Sequence, residues 1–243
     1  MQRISVVIPT RHRLGFLREA VASVLSQSHA AHEIIVVDDG TGAADALAGS
    51  SPLIRVLDNQ ERGPVPARNL GVGAATGDAI AFLDDDDWWT DTGYLARAAA
   101  CFADGAALCF GDGTMVFEDG RSEARFAFDA DARSLERDNT ILISAVAYLR
   151  SLHRSLGAFD EALPFYWDWD WYLRVARAGH PLVHIDQPVV AIRVHARNMS
   201  GDALERQRRA NLDAFAAKHG LPPLVLKNHL SLVTDQPPDG RRA

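Results

Sequence analysis

Apolar residues come in short blocks along the first hundred positions, and polar or acidic residues close each block. Ile4-Ser5-Val6-Val7-Ile8 is rich in β-branched residues and stops at Pro9-Thr10, which predicts a strand. Ile34-Ile35-Val36-Val37 stops at Asp38-Asp39-Gly40. Ile54, Val56 and Leu57 lead to Asp58-Asn59, and Ala79-Ile80-Ala81-Phe82-Leu83 runs into Asp84-Asp85-Asp86-Asp87. After the first block, Leu14, Leu17, Val21, Val24 and Leu25 recur at three- and four-residue spacing, which marks one face of a helix. A loop, Gly63-Pro64-Val65-Pro66, leads into a small helix through Asn69 to Ala75. A further helix is expected at Tyr94 to Phe102 and a strand at Ala107 to Phe110. Strands that are apolar throughout and separated by helices predict an α/β fold, with a mostly parallel central sheet flanked by helices.

The second half is less regular. Met115 to Gly120 reads as a separate strand and turn, Arg121 to Asn139 as polar and irregular or partly helical, and Ile141 to Leu149 as apolar again. Trp167 to Ala178 predicts a helix that stops at Gly179, and Val189 to Val194 a strand. Leu204, Leu212 and Phe215 predict a last helix whose exposed side carries Arg206, Arg208 and Arg209. From Leu221 on, prolines and a polar end predict a loosely attached tail. The expected organisation is one domain with two halves, an α/β half at 1–112 that holds the four early strands and a less regular half at 113–220, followed by the tail 221–243.

The four early strands all end in polar residues: Thr10, Asp38 and Asp39, Asp58 and Asn59, and Asp84 to Asp87. In a parallel sheet these ends share one edge, and open α/β sheets bind ligands in the crevice outside that edge. The pattern alone therefore gathers several carboxylates around one cleft.

Composition narrows the partners. The chain has 243 residues, of which 47% are hydrophobic and 23% charged, so it is not a disordered chain. A formal net charge of −7 is the wrong sign for phosphate-backbone binding, so no nucleic-acid partner is expected. The absence of a long apolar run predicts no transmembrane segment, and Met1 to Thr10 lacks a secretory pattern. Two cysteines, Cys101 and Cys109, fit neither a disulfide scaffold nor a zinc site. The expected location is the cytoplasm, at the inner membrane surface if the substrate is a lipid.

Four adjacent like charges at Asp84 to Asp87 call for solvent or a cation, and Mg²⁺ or Mn²⁺ suits oxygen donors. Alternation along an extended chain puts Asp84 and Asp86 on one side. The rings of Trp88 and Trp89 beside them suit a ligand face. Asp38 and Asp39 can read a nucleobase or cap the next helix. Arg68 can pair with those acids or with a ligand's base or phosphate. Phe165-Tyr166-Trp167-Asp168-Trp169-Asp170-Trp171-Tyr172 suits the C–H faces and hydroxyls of a sugar. Asp168, walled by aromatics at a helix start, suits a general base. His195 ends a strand and can reach a metal or diphosphate if that strand ends at the acidic cleft.

Taken together, Ser-Val-Val-Ile-Pro-Thr at 5–10, Ile-Ile-Val-Val-Asp-Asp-Gly at 34–40, Ala-Arg-Asn-Leu-Gly at 67–71, Phe-Leu-Asp-Asp-Asp-Asp-Trp at 82–88 and Trp-Asp-Trp-Asp-Trp-Tyr-Leu-Arg at 167–174 resemble, in order and spacing, the family-2 glycosyltransferases of GT-A fold. The resemblance covers about residues 3 to 200. It implies a nucleotide-sugar donor, usually a UDP-sugar, and a hexosyl transfer to a glycan or lipid-linked acceptor. It implies that Pro9, Thr10 and Arg11 line the nucleotide site, and that Asp39, with Asp38, reads the base beside Arg68. It places Asp84, Asp85 and Asp86 at the Asp-x-Asp region, with Asp84 and Asp86 holding Mg²⁺ or Mn²⁺ and His195 completing the set. It places Asp168 at the catalytic base, with Trp167, Trp169 and Trp88 toward the acceptor. Trp167 stands where the family usually carries an acid.

The transfer so implied is inverting, in glycan or polysaccharide biosynthesis. The alternative is a non-catalytic nucleotide-sugar or glycan-binding module on the same fold, which has no need of Asp168. A nucleotidyltransferase would require a Gly-rich basic loop after the first strand, and Thr10 to Phe16 offers one glycine. Oligomeric state stays open, a homodimer included.

Overall fold

A computed structural model describes residues 2–195 and 204–234. In chain order its elements are β1 (Ile4–Thr10), α1 (Leu14–Leu25), β2 (Glu33–Asp38), β3 (Ile54–Asp58), α2 (Pro64–Ala74), β4 (Ala79–Phe82), β5 (Trp88–Trp89), α3 (Tyr94–Ala103), β6 (Leu108–Phe117), β7 (Ala124–Phe126), α4 (Ala132–Leu135), β8 (Val146–Leu149), α5 (Leu152–Leu156), α6 (Trp167–Arg177), β9 (Leu182–Val194), α7 (Glu205–His219) and α8 (His229–Thr234). The strands form one sheet in the order β3-β2-β1-β4-β8-β6-β9-β5, with β7 paired to β6. Among the described residues no helix is long and apolar enough to cross a membrane.

The α/β architecture is the expected one. The first four strands are parallel, with Thr10 opposite Asp38 and Asp38 opposite Asp58. Their polar tips therefore do share one edge. Period-two alternation divides the strands between two cores. Ile4, Val6 and Ile8 face α1 and α3 with Ile34, Val36 and Ala81, while Val7, Ile35, Val37, Ile80 and Phe82 face α2, α6 and α7. Gly71 lets α2 lie tight on the sheet, since a Cβ there would stand 2.4 Å from Val7 Cγ1. Pro9 is tolerated inside β1 because β4 pairs only as far as Val7, so no neighbour on that side asks for its missing N–H.

The second half departs from the expected layout. β8 runs antiparallel between β4 and β6, so the sheet is mixed beyond β4. The segments read as two elements around 107–120 are one strand, β6, carried past a bulge at 111–113 by its long pairing with β9. That pairing also extends β9 back to Leu182, well before Val189. Residues 221–234 are not a loose tail. Leu224 and Leu232 are buried, α8 lies by β7, and Phe126 meets His229 edge-on at 5.1 Å. The expectations that fall on Arg197 to Ser200 and on 235–243 lie outside the described residues.

Candidate active site

The acidic run after β4 is a turn, closed by the Asp87 N–H on the Asp84 carbonyl at 3.1 Å. Turning brings Asp87 back beside Asp84, so that Asp84, Asp86 and Asp87 each offer an oxygen within 4.8 Å of the others. Ser144, in the helical turn before β8, locks this arrangement. Its hydroxyl accepts from the Asp84 N–H at 3.0 Å and donates to Asp87 at 2.6 Å. The Arg193 N–H donates to the other oxygen of Asp87 at 3.1 Å. Burial pushes the Asp87 carboxyl well up, and Asp86 and Asp84 add like charge. Burial likewise raises Asp85 to about 6, against the hydroxyl of Thr10, which donates to it at 2.6 Å.

Two arginines balance part of this charge. Arg13 sits on Asp86 and reaches Asp85 at 3.3 Å. Arg68 pairs with Asp84 and lies over the Trp167 ring at 4.6 Å. His195 Nε2 stands 3.1 Å from Asp86. Four carboxylates stand against two guanidinium groups, and the three that gather oxygens around one point, Asp84, Asp86 and Asp87, make a donor set that fits a hard divalent cation.

At the start of α6 two acids meet opposite surroundings. Asp170 is fully buried between two cations and an imidazole: Arg174 at 2.9 Å, Lys218 at 2.6 Å and the His219 ring at 2.8 Å. They hold its carboxyl below the ordinary range despite burial, and they tie α6 to α7. Asp168 has a neutral partner, the Asn139 amide, which donates at 2.9 Å. Burial pushes its carboxyl up to about 6, and that amide, the helix's own N–H groups and Arg68 only partly oppose the rise.

A cavity of about 230 Å³ joins these parts. Asp84, Asp86, Asp87, Arg68 and Asp168 all line it. The C-terminal segment lines it as well, through Val225, Lys227, His229 and Leu232. A second cavity of about 450 Å³, lined by His12, Arg13, Phe16, Glu118 and His195, lies on the other side of Asp86. His12 holds a positive φ of 59° there, an uncommon conformation for a residue with a side chain.

The structure relocates several residues singled out from the sequence. Arg68 does not reach Asp38 or Asp39, because α2 aims it at Asp84. Asp38 does not face the cleft. Its oxygens accept from the Thr41 N–H at 2.8 Å, the Thr41 hydroxyl at 2.7 Å and the Ala44 N–H at 2.8 Å, which organise its own loop. Asp39 lies one strand tip away from the main cavity. It accepts from Asn59 at 2.6 Å and the Gly63 N–H at 3.0 Å, with Arg11 at 3.7 Å. The Arg11 N–H meets Asp85 at 3.4 Å, so Asp39, Arg11, Thr10 and Asp85 form a polar line along the edge.

The tryptophans are mostly structural. Trp167 and Trp169 line the cavity only in part. Trp167 packs edge-on to Phe82 and Phe159, while Trp169 stacks on Phe215 at 4.4 Å and donates to the Leu135 carbonyl at 2.6 Å. Trp88 faces neither cavity, because Arg193 covers its ring at 4.7 Å. Arg208, expected on an exposed side, turns inward and donates to the Lys227 carbonyl at 2.6 Å.

Asp87, Ser144, Arg13 and Asn139 were not singled out. Asp87 stood in the acidic run, but strand alternation favours Asp84 and Asp86, and only the turn brings it in. The other three carry no local signal.

Comparison with known proteins agrees with this geometry. Residues 5–154 match the model of the family described as glycosyl transferase family 2. An uncharacterized glycosyltransferase of Bacillus subtilis, YwdF, is 32% identical over 251 residues, which covers 99% of this chain and 92% of that protein. Among solved structures, S. aureus TarS 1-349 superimposes with a TM-score of 0.66 at 17% identity, over 89% of this chain and 65% of that one. The mannosyltransferase PcManGT from Pyrobaculum calidifontis gives 0.67 at 21% identity, over 91% of this chain and 66% of that one. The chain thus spans nearly all of YwdF but about two thirds of either solved chain. From the family match, the full-length relative and the shared architecture, the chain belongs to glycosyl transferase family 2 and is a glycosyltransferase of GT-A fold.

Proposed function

We propose that the chain transfers a hexosyl group from a nucleoside-diphosphate donor, a UDP-sugar in the first instance, to an acceptor hydroxyl with inversion at the anomeric carbon. One observation carries this reading. A buried carboxylate raised toward neutrality, Asp168, opens into the same cavity as three carboxylates suited to one divalent cation. A module that only binds a nucleotide sugar has no use for the first of these.

Asp168 takes the proton of the acceptor hydroxyl as that oxygen attacks the anomeric carbon, opposite the leaving diphosphate. With its carboxyl near 6 it is ionised at neutral pH yet more basic than an ordinary aspartate. Asp84, Asp86 and Asp87 would hold Mg²⁺ or Mn²⁺, with His195 behind Asp86. Such a cation, when bound, neutralises charge developing on the leaving diphosphate. Arg68, steadied on Trp167, and Arg13 supply fixed positive charge beside the same oxygens. Pro9, Thr10, Arg11 and Asp39 form the edge along which the nucleoside lies. Val225 to Leu232, which line the same cavity as Asp168, contact a glycan or lipid-linked acceptor. The solved relatives support the donor class, since TarS was crystallised with UDP-GlcNAc and PcManGT with GDP-Man and Mn2+.

The test is a panel of UDP-, GDP- and dTDP-sugars with Mn²⁺, read by thermal shift and by release of nucleoside diphosphate. One donor should stabilise the protein and turn over slowly even with water as acceptor, and chelation should stop the turnover. Tight donor binding with no turnover under any acceptor would favour the binding module. NMR of the product's anomeric configuration decides inversion.

A further inference from the structure

We propose that Asn139 is a positioning residue for the transfer. Its side-chain amide holds the Asp168 carboxylate at the cavity wall, and the fold leaves the other end of that amide unpartnered to keep it there. This inference rests on Asp168 being the base.

The geometry sets the orientation of the amide. An ionised carboxylate only accepts, so the NH₂ of Asn139 must face Asp168, where it stands at 2.9 Å. Oδ1 then points the other way, and it is buried with no partner among the described residues. A buried carbonyl left unsatisfied is unfavourable, and an apolar side chain of similar size would avoid the cost. Stability therefore does not ask for Asn at this position. The bond to Asp168 does.

A neutral donor also suits the task. Two residues along the helix, Asp170 is surrounded by the His219 ring and two cations, Lys218 and Arg174, which hold its carboxyl down and spoil it as a base. Asn139 fixes one oxygen of Asp168, which lines the cavity, and adds no full charge. The pair thus separates a structural acid from a basic one within a single helical turn.

The other ionisable groups around Asp168 come from every neighbouring element. Arg68 reaches it from α2, and Tyr166 and Tyr172 from α6 and its start. In the same cavity wall, Arg208 of α7, near Tyr166, is tied to the Lys227 carbonyl, Lys227 pairs with Asp138 at 3.0 Å, and Asp84, Asp86 and Asp87 share the cavity. His229, buried in the C-terminal segment, is held down to about 4 and stays neutral where Asp168 titrates. None of these replaces the amide as a direct partner of the carboxylate among the hydrogen bonds described.

The test compares Asn139→Leu, Asn139→Ala, Asp168→Asn and the double variant Asn139→Leu/Asp168→Asn in the full chain. It reads turnover against pH, donor Kd and thermal midpoint. The expected result for Asn139→Leu is an acidic limb moved up by about one pH unit, since a bond favouring the carboxylate is lost. Plateau turnover should fall about 10- to 100-fold from misplacement of the base, with donor Kd not worsened and the thermal midpoint at pH 7.5 lowered by no more than the added cost of ionising a carboxyl that titrates about one pH unit higher. The double variant should be no slower than Asp168→Asn alone.

An unmoved acidic limb, additive losses in the double variant, or activity lost only in step with a lowered thermal midpoint would each overturn the inference. So would insolubility of both Asn139 variants, which would make the residue one the fold requires. If Asp168→Asn alone keeps full turnover, the reading of Asp168 as base fails, whatever Asn139 does.

Discussion

Replacing Asp168 by Asn should make the protein more stable and nearly inactive at once. The carboxyl is buried and raised from 3.8 to about 6. The folded chain thus binds this proton more tightly than the unfolded chain does. Below about pH 4 both states are protonated and the group costs nothing. Between about 4 and 6 the penalty grows, and above 6 it is complete, so this group lowers stability as pH rises. A difference of about 2 pKa units corresponds to about 3 kcal/mol at pH 7.5, shrinking to about 1 kcal/mol at pH 4.5. Asn cannot ionise and can still present an oxygen to the Asn139 amide, so the variant escapes the penalty. For a chain of this length that is a rise in Tm of roughly 6–12 °C at pH 7.5 as a ceiling, and much less at pH 4.5. Loss of a positioned base lowers turnover about 10²–10⁴-fold. Unfolding followed by tryptophan fluorescence at the two pH values, beside nucleoside diphosphate release, measures both effects. A variant less stable than the parent at pH 7.5, or one that turns over within fivefold of it, would refute the reasoning.

Three further outcomes are expected. Arg13→Ala frees Asp85 and Asp86 of a guanidinium, so Mn²⁺ should bind about tenfold more tightly by calorimetry in the absence of donor, in keeping with a like-charge repulsion of a few kcal/mol at short range; weaker binding would show that Arg13 organises the acids rather than competing for them. Leu232→Asp places a charge in the buried wall of the cavity that Asp168 lines, so acceptor-dependent turnover should fall at least about tenfold while donor Kd holds; unchanged acceptor KM would remove the C-terminal segment from the acceptor side. His184 bridges Asp112 and Asp129 at 2.7 Å each, and those carboxylates raise its pKa. Its contribution, about 1.5–3 kcal/mol, is therefore complete below the unfolded value and is lost as pH rises through the raised folded one. The Tm gap between parent and His184→Gln should then be wide at pH 6 and narrow in alkali, and a gap independent of pH would contradict this.

Much of this protein is local information. Continuous β-branched blocks bounded by polar residues set β1 to β4, and three- and four-residue spacing set α1 and α3, because alternation and helical period are properties of the chain itself. The same blocks announced that acids would line one edge, since parallel strands have no other place for their C-terminal tips. The acidic run was legible for that reason, and Asp168 for another, its place among aromatics at a helix start. What tertiary structure decided was the pairing of distant segments. β6 and β9 hold one another past their apolar limits, so neither length was visible in either strand alone. Arg68 was legible as a cation near acids, but which acid depended on the tilt of α2 that Gly71 permits. Asp168 and Asp170 are the same residue in the same helical turn, and only the segments packed against them, Asn139 on one side and α7 on the other, left one carboxyl raised and the other held down as an anchor. Ser144, Asn139 and the 221–234 segment act through contacts far along the chain, and charge and burial at such contacts are set by the fold rather than by any neighbour in sequence.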